Sequence, residues 1–306
     1  MLGIISEGVS YIDLKFRGQP HSIATVIVSG PGYCTLIDPG PTICIDHLEA
    51  GLKSRGFSID ELTHVLLTHI HLDHAGATGT LVRRNSALQV LVHERGARHL
   101  VDPTRLLDSA ARLYGNQLKN LWGDFLPIPE SNITALAGGE CIALGSRRLE
   151  VAYTPGHASH HVSYFDPSSR VAYVGDTAGI TIAGDYVLPP TPPPDINLEA
   201  WEASLKQIEN WGPESLFITH YGIRTNPKAQ LDSLRKNIDR FGAKSRQLLE
   251  ESGTDDERLE SFTIWVRNEL RREMGEAQAA IYDLSAPLNL LWLGLARYWS
   301  KKGISS

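Results

Sequence analysis

The segment that most limits what this chain can become is Thr68-His-Ile-His-Leu-Asp-His-Ala-Gly76, which reads His69-x-His71-x-Asp73-His74. It follows a short apolar strand pattern at 64–68 and leads into helical spacing over 75–84. In extended backbone, residues i and i+2 project to the same side, so His69 and His71 are placed to grip one ion. Asp73 and His74 fall in the first helical turn and reach a second ion beside it. Imidazole together with carboxylate suits zinc, iron or manganese rather than soft copper.

Further donors stand just past other apolar strand patterns. Thr154-Pro155-Gly156-His157 follows 149–153, Gly175-Asp176-Thr177 follows 171–174, and His220 follows 216–219. The rim of a sheet is where a rigid set of ligands is normally built. Five His and two Asp suffice for two ions that share one carboxylate and a bridging solvent. The runs Val65-Leu-Leu-Thr-His69 and Leu216-Phe-Ile-Thr-His220 echo each other, both apolar strands ending in Thr-His.

Residues 1–225 alternate strand and helix patterns and are predicted to be α/β with mixed strands, carrying a helical insertion at about 94–126. The proline-rich run 188–194 reads as a stiff extended loop, and Asn197 as the N-cap of a helix to Trp211. From 226 strands vanish, and three helical stretches are expected at about 227–252, 256–275 and 286–301. The last carries an apolar stripe (Leu288, Leu291, Trp292, Leu295, Trp299), which points first to docking on the core and next to a homodimer interface.

With these residues in hand, the chain resembles the metallo-β-lactamase fold superfamily, and its Asp176-containing ligand set resembles the glyoxalase II and lactonase-type branch. The resemblance covers about 10–225 and implies an αββα sandwich, here followed by a C-terminal all-helical extension, 226–306. It implies that His69, His71 and His157 hold a first metal, that Asp73, His74 and His220 hold a second, and that Asp176 bridges. Leu36-Ile37-Asp38-Pro39-Gly40 matches a family turn whose Asp lies near the metals, where Asp38 orients a ligand imidazole or merely caps the turn. His161 stands where relatives often carry a second Gly-His; His160 replaces that Gly, and the Thr-Pro-Gly-His context favours His157 as the ligand.

The function expected from this resemblance is a dinuclear metal hydrolase acting on an ester-like carbonyl, a thioester or a lactone, through a metal-bridging hydroxide. Asp73 is the candidate to orient the nucleophile and carry its proton. Tyr221 and Arg224, close after His220, are candidate substrate contacts. The cofactors expected are two divalent ions, zinc first, with iron or manganese as alternatives. A mononuclear iron oxidoreductase resembling the persulfide dioxygenases, or a phosphodiesterase of the same fold, remain alternatives.

Composition trims the list. With 29 Lys+Arg against 35 Asp+Glu the net charge is −6, which disfavours a nucleic-acid partner and leaves a small-molecule substrate. Three cysteines, none spaced as CxxC, suggest a reduced, cytoplasmic setting. The first residues do not read as a signal peptide. The apolar run at 288–296 is far short of the roughly 20 residues that span a bilayer, so no membrane partner is expected. The remaining histidines, His21, His47, His64, His93 and His99, are expected at the surface or satisfied in the core, and Cys34 and Cys44 as inert buried thiols.

Overall fold

Short strands from the two halves of the α/β region close into two separate sheets in the computed structural model, which describes residues 2–304. The first sheet contains β1 (Leu2–Ser6), β2 (Val9–Asp13), β3 (Ala24–Gly30), β4 (Tyr33–Ile37), β5 (His64–Leu66), β6 (Gln89–His93) and β7 (Ile133–Leu136), bonded in that order. β1 to β4 are antiparallel neighbours, and β4 to β7 are parallel. Parallel neighbours need crossovers. α1 (Ile45–Lys53) supplies the first; α2 (Leu72–Ala75) and α3 (Thr78–Arg84) the second; α4 (Glu94–Val101), α5 (Thr104–Tyr114) and α6 (Leu118–Trp122) the third.

The second sheet contains β8 (Cys141–Leu144), β9 (Arg147–Tyr153), β10 (Val162–Asp166), β11 (Val171–Tyr173), β12 (Ser215–Ile218) and β13 (Gly222–Arg224), laid out from β13 down to β8. Only β11 and β12 are parallel, joined through α7 (Leu198–Asn210). Burial follows position: every residue of the central β10 is buried, whereas the edge strand β8 alternates exposed and buried. Asn197 caps α7 as expected, accepting from the Ala200 N–H at 3.0 Å.

Three apolar clusters define the layers. Val26, Val28, Leu66, Leu149, Tyr164 and Phe217 fill the space between the sheets. Leu48, Leu52, Leu81 and Leu100 cover the outside of the first sheet. The outside of the second is covered by α7 together with α8 (Pro227–Glu250), α9 (Asp255–Met274), α10 (Glu276–Ser285) and α11 (Leu288–Lys301). The result is a four-layer αββα sandwich carrying a C-terminal helical region.

The C-terminal region differs in one respect from the three-helix expectation. Gly275, at φ +83°, ends α9, and a separate short helix, α10, follows it. Two short strands, β7 and β13, also escaped the sequence pattern. Leu216 and Ile218 of β12, Trp201 of α7, Leu234 of α8, Phe262 of α9 and Leu295 of α11 lie in one continuous core.

Candidate metal centre

The site is assembled where strand ends of the two sheets meet. Asp38 follows β4 with φ +52°, a left-handed conformation that Asp tolerates better than most residues. Its two oxygens accept from the Thr68 N–H (2.8 Å) and the Thr68 hydroxyl (2.7 Å), tying the ends of β4 and β5 together. The Thr219 hydroxyl, at the end of β12 in the other sheet, donates to the same carboxylate at 3.0 Å. The Thr-His echo thus has a physical basis: both threonines meet on Asp38, and the histidine after each is aimed into one space.

His69, His71 and His157 converge on one point. His69 Nε2 and His157 Nε2 each lie 3.0 Å from His71 Nδ1. Donors about 2.0–2.1 Å from a tetrahedral ion stand roughly 3.3 Å apart, so this spacing fits one ion. The far nitrogens decide the tautomers. Thr68 gives its own proton to Asp38, so its oxygen accepts from His69 Nδ1 at 3.1 Å. His157 Nδ1 donates to the Pro190 carbonyl at 2.8 Å. Both Nε2 lone pairs therefore face His71, whose one nitrogen cannot satisfy them both. Burial, joined by the neighbouring imidazoles, pulls His71 down to about 4, and burial lowers His69 and His157 as well, so all three are neutral donors near pH 7.

Asp73, His74 and His220 form the second group. His74 Nδ1 donates to Asp38 at 2.8 Å and His220 Nδ1 to the Ser22 carbonyl at 2.9 Å, again turning both Nε2 atoms inward. His220 Nε2 lies 3.2 Å and His74 Nε2 3.8 Å from Asp73 Oδ2. Asp176 spans the two groups: Oδ1 is 3.2 Å from His74 Nε2 and 3.6 Å from His220 Nε2, while Oδ2 is 3.5 Å from His157 Nε2. His74 Nε2, His220 Nε2 and Asp176 Oδ1 are buried without a hydrogen-bond partner among the described residues. Unpaired buried donors and acceptors are expensive, and lone pairs facing carboxylates call for a cation.

The electrostatics agree. Burial opposes a charge on His74, yet Asp176, Asp73 and Asp38 outweigh it and hold the ring well above the usual imidazole range. His220 is raised by Asp176 and Asp73 in the same contest against burial. Burial alone would favour neutral acids, but His74 and His220 bring Asp73 down to about 2 and Asp176 well below the carboxylate range. The residues present fit two divalent ions.

Two glycines make the approach possible. At Gly156, φ +142°, a Cβ would stand 2.4 Å from Trp201 Cα; at Gly175, φ +46°, it would stand 2.5 Å from Thr68 Oγ1 and 2.7 Å from His161 Nε2. His161 is fully buried, its Nδ1 held by the hydroxyls of Thr154 and Thr177 at 3.0 Å each. It stacks behind His69 at 5.0 Å between ring centres rather than joining the convergent nitrogens.

Above the centre lies a cavity of about 930 Å³, with His71, Asp73, His157, Asp176 and His220 at its floor. Tyr221 and Arg224, the expected substrate contacts, are not among the residues lining it. Tyr221 packs against His21 (4.7 Å) and Tyr11 (6.1 Å). Arg224 pairs with Asp185 at 2.8 Å. Conversely, His99 lines the cavity, with Arg95, Arg98 and Arg105, none of which belongs to a motif the sequence displays. Cys34 and Cys44 are buried, which pushes both thiols up to about 12 and leaves them unreactive.

A family model described as the metallo-beta-lactamase superfamily matches residues 18–220. The chain belongs to that superfamily. Its fold generally binds divalent metal ions, and its members are mostly metal-dependent hydrolases. The chain is 29% identical over 220 residues to a metallo-beta-lactamase fold-containing protein, ST1585, of Sulfurisphaera tokodaii, covering 71% of this chain and 79% of the relative. It is also 29% identical over 150 residues to a hydroxyacylglutathione hydrolase of Legionella pneumophila, 47% of this chain and 46% of that enzyme. The chain thus spans under half the length of that relative. Solved structures share the fold: that of ST1585 superposes with a TM-score of 0.65 at 24% identity, covering 94% of this chain and 98% of the other. A metallo-beta-lactamase family protein of Thermus thermophilus gives 0.69 at 20% identity, over 92% and 89%. Within the described residues, no helix is long and apolar enough to cross a membrane.

Proposed function

We propose that this chain is a two-metal hydrolase that cleaves an ester-like carbonyl, a thioester or a lactone, with His69, His71 and His157 on one ion, Asp73, His74 and His220 on the other, and Asp176 between them. The observation that carries this reading is the Asp176 carboxylate, one oxygen turned to each ligand group. The partial likeness to hydroxyacylglutathione hydrolases, which are named for a thioester-type substrate, supports the choice of carbonyl chemistry.

Two divalent ions bound there supply Lewis acidity toward a carbonyl oxygen and a water made acidic near neutral pH. The chain's own residues do the rest. Asp73 is the more exposed carboxylate of the set, its side chain 21% exposed against 5% for Asp176. It orients the attacking water, takes its proton and returns it to the leaving atom. Asp38 holds the His74 ring in place, and the Pro190 and Ser22 carbonyls do the same for His157 and His220.

The test is metal content by mass spectrometry, followed by a panel of thioesters, lactones, aryl phosphodiesters and β-lactams. We expect close to two ions per chain and turnover of a thioester or lactone. Asp176→Ala is expected to hold at most one ion and to lose about a hundredfold or more in kcat. Turnover of the phosphodiester alone would refute the carbonyl assignment. One iron per chain, with oxygen consumed on a persulfide, would replace the hydrolase by an oxidoreductase.

A further inference from the structure

The cavity has walls of two kinds, and their chemistry narrows the substrate beyond the reading above, on which this inference rests. One wall is cationic. Arg95 and Arg98 project from α4 and Arg105 from the start of α5, and all three line the cavity. α4 is pressed onto the site itself: a Cβ at Gly96 would stand 2.9 Å from Ile70 and 3.6 Å from His160. The other wall is apolar, built by Leu106 and Leu113 of α5, Trp122 of α6, and Leu290 and Leu291 of α11. The metal ligands lie at the floor common to both.

What sets the three arginines apart is that they are grouped at one cavity of an acidic chain. Several other guanidiniums are matched: Arg84 with Glu49, Arg147 with Asp166, Arg170 with Glu214, Arg235 with Glu209. Arg95, Arg98 and Arg105 hold no carboxylate among the described residues. Arg95 lies over the Tyr153 ring at 5.6 Å, and Arg98 Nε meets His99 Nε2 at 3.3 Å. Two acids share this part of the cavity, Glu94 and Asp195, and Asp195 is engaged by the Ser159 hydroxyl. The cations outnumber them. Burial, then Arg98 and Arg105, lower the His99 ring against the opposing pull of Asp195 and Asp102, so His99 adds a neutral polar surface beside them.

Three unmatched guanidiniums exceed what one carboxylate uses, since a single arginine grips a carboxylate bidentately. They suit a group with several charged oxygens. We propose that this wall receives the phosphate groups of an acyl thioester, with the thiol carrier along α4 and the acyl chain against the apolar wall. Hydrolysis then adds one water: the carbonyl carbon gains a C–O bond, the C–S bond breaks, and a carboxylate, a free thiol and a proton result. No redox partner is needed.

The test compares thioesters of one medium-length acyl chain carried on coenzyme A, on pantetheine, which lacks the phosphates, and on glutathione, which offers carboxylates. The metal-loaded enzyme is expected to favour the coenzyme A thioester over the pantetheine thioester by about tenfold or more in kcat/KM, chiefly through KM, with a preference that shrinks as salt rises. In Arg98→Gln/Arg105→Gln that ratio is expected to fall toward one, and Arg98→Lys/Arg105→Lys to restore most of it. Equal turnover of the coenzyme A and pantetheine thioesters, or preference for glutathione, would overturn the phosphate assignment while leaving the hydrolase intact. An undiminished ratio in the double glutamine variant would remove these arginines from it. If no thioester is turned over, the thioester assignment fails, and if no lactone is turned over either, the reading of the reaction itself fails. Calorimetry then still judges the wall, because free coenzyme A must bind the wild type and bind the double glutamine variant at least about tenfold more weakly.

Discussion

Asp38 touches no other convergent donor than His74, yet it joins both sheets to the site through Thr68 and Thr219. Replacing it by Asn keeps a residue that accepts φ +52°, removes the charge behind His74 and turns one accepting oxygen into an NH2 donor. Such outer partners typically govern ten- to a hundredfold of metal affinity. Asp38→Asn is therefore expected to weaken one of the two ions by about 10- to 100-fold while the other is kept, measured by competition with a chelator. Equal weakening of both, or of neither, would show that His74 is not oriented in this way. The convergent residues were legible because each sits in a short motif at a strand end, and one strand end is enough to aim a side chain. Asp38 was half legible: the turn was plain, but the threonines that meet on it are 151 positions apart, 219 − 68. Arg98 and His99 were not legible, since charge at helical spacing looks the same whether it faces water or a cavity. Tyr221 stands away from the cavity lining although it follows His220 directly, because nearness in sequence does not set which way a side chain faces.

At the scale of elements, the hairpin-like unit of β9, β10 and β11 depends on a buried acid. Asp166 ends β10 and accepts from the Ser168 and Ser169 hydroxyls, beside the Arg147 guanidinium of β9. Burial would raise its pKa, but those hydrogen bonds and the Arg147 charge prevail and hold it below the usual carboxylate value of 3.8. A carboxyl depressed on folding stabilises the native state above its unfolded pKa and loses that contribution as pH falls through the folded value. The loss thus belongs below about pH 4. Asp166→Asn is expected to lower the melting temperature at pH 7 and to flatten its decline between about pH 4 and pH 2, followed by circular dichroism. A variant with the wild-type acid slope would show that Asp166 does not contribute it. The elements that sequence pattern missed are those with little pattern to show. β13 has three residues, and β7 exposes two of its four. α10 begins directly after the glycine that ends α9, between two of the three expected helices.

For the whole molecule, the question is whether the C-terminal helices are an attachment or a layer. The stripe on α11 that sequence alone offered to the core or to a second copy is spent inside the chain: Leu288, Leu291, Trp292 and Leu295 are all buried in the same cluster as Leu216 and Ile218 of β12. The opposite side of Leu291 also lines the cavity, and its carbonyl accepts from the Thr191 hydroxyl at 3.0 Å, fixing the proline-rich loop that carries the His157 partner Pro190. Helix, loop and ligand are therefore one packed unit. Truncating a fully buried leucine costs about 2–5 kcal/mol through lost transfer energy and the cavity left behind. Leu295→Ala is expected to lose about that much stability in urea unfolding, with one cooperative transition for helices and sheets together. A chain ending at residue 225 would strip the outer face of the second sheet, exposing a large apolar surface that water does not tolerate. It is expected to be insoluble or to lack fixed near-ultraviolet dichroism. If that shortened chain instead remained a soluble monomer with two bound ions and a cooperative melt, the helices would be an addition to a self-sufficient sandwich, and their place in the cavity wall would be incidental to its folding.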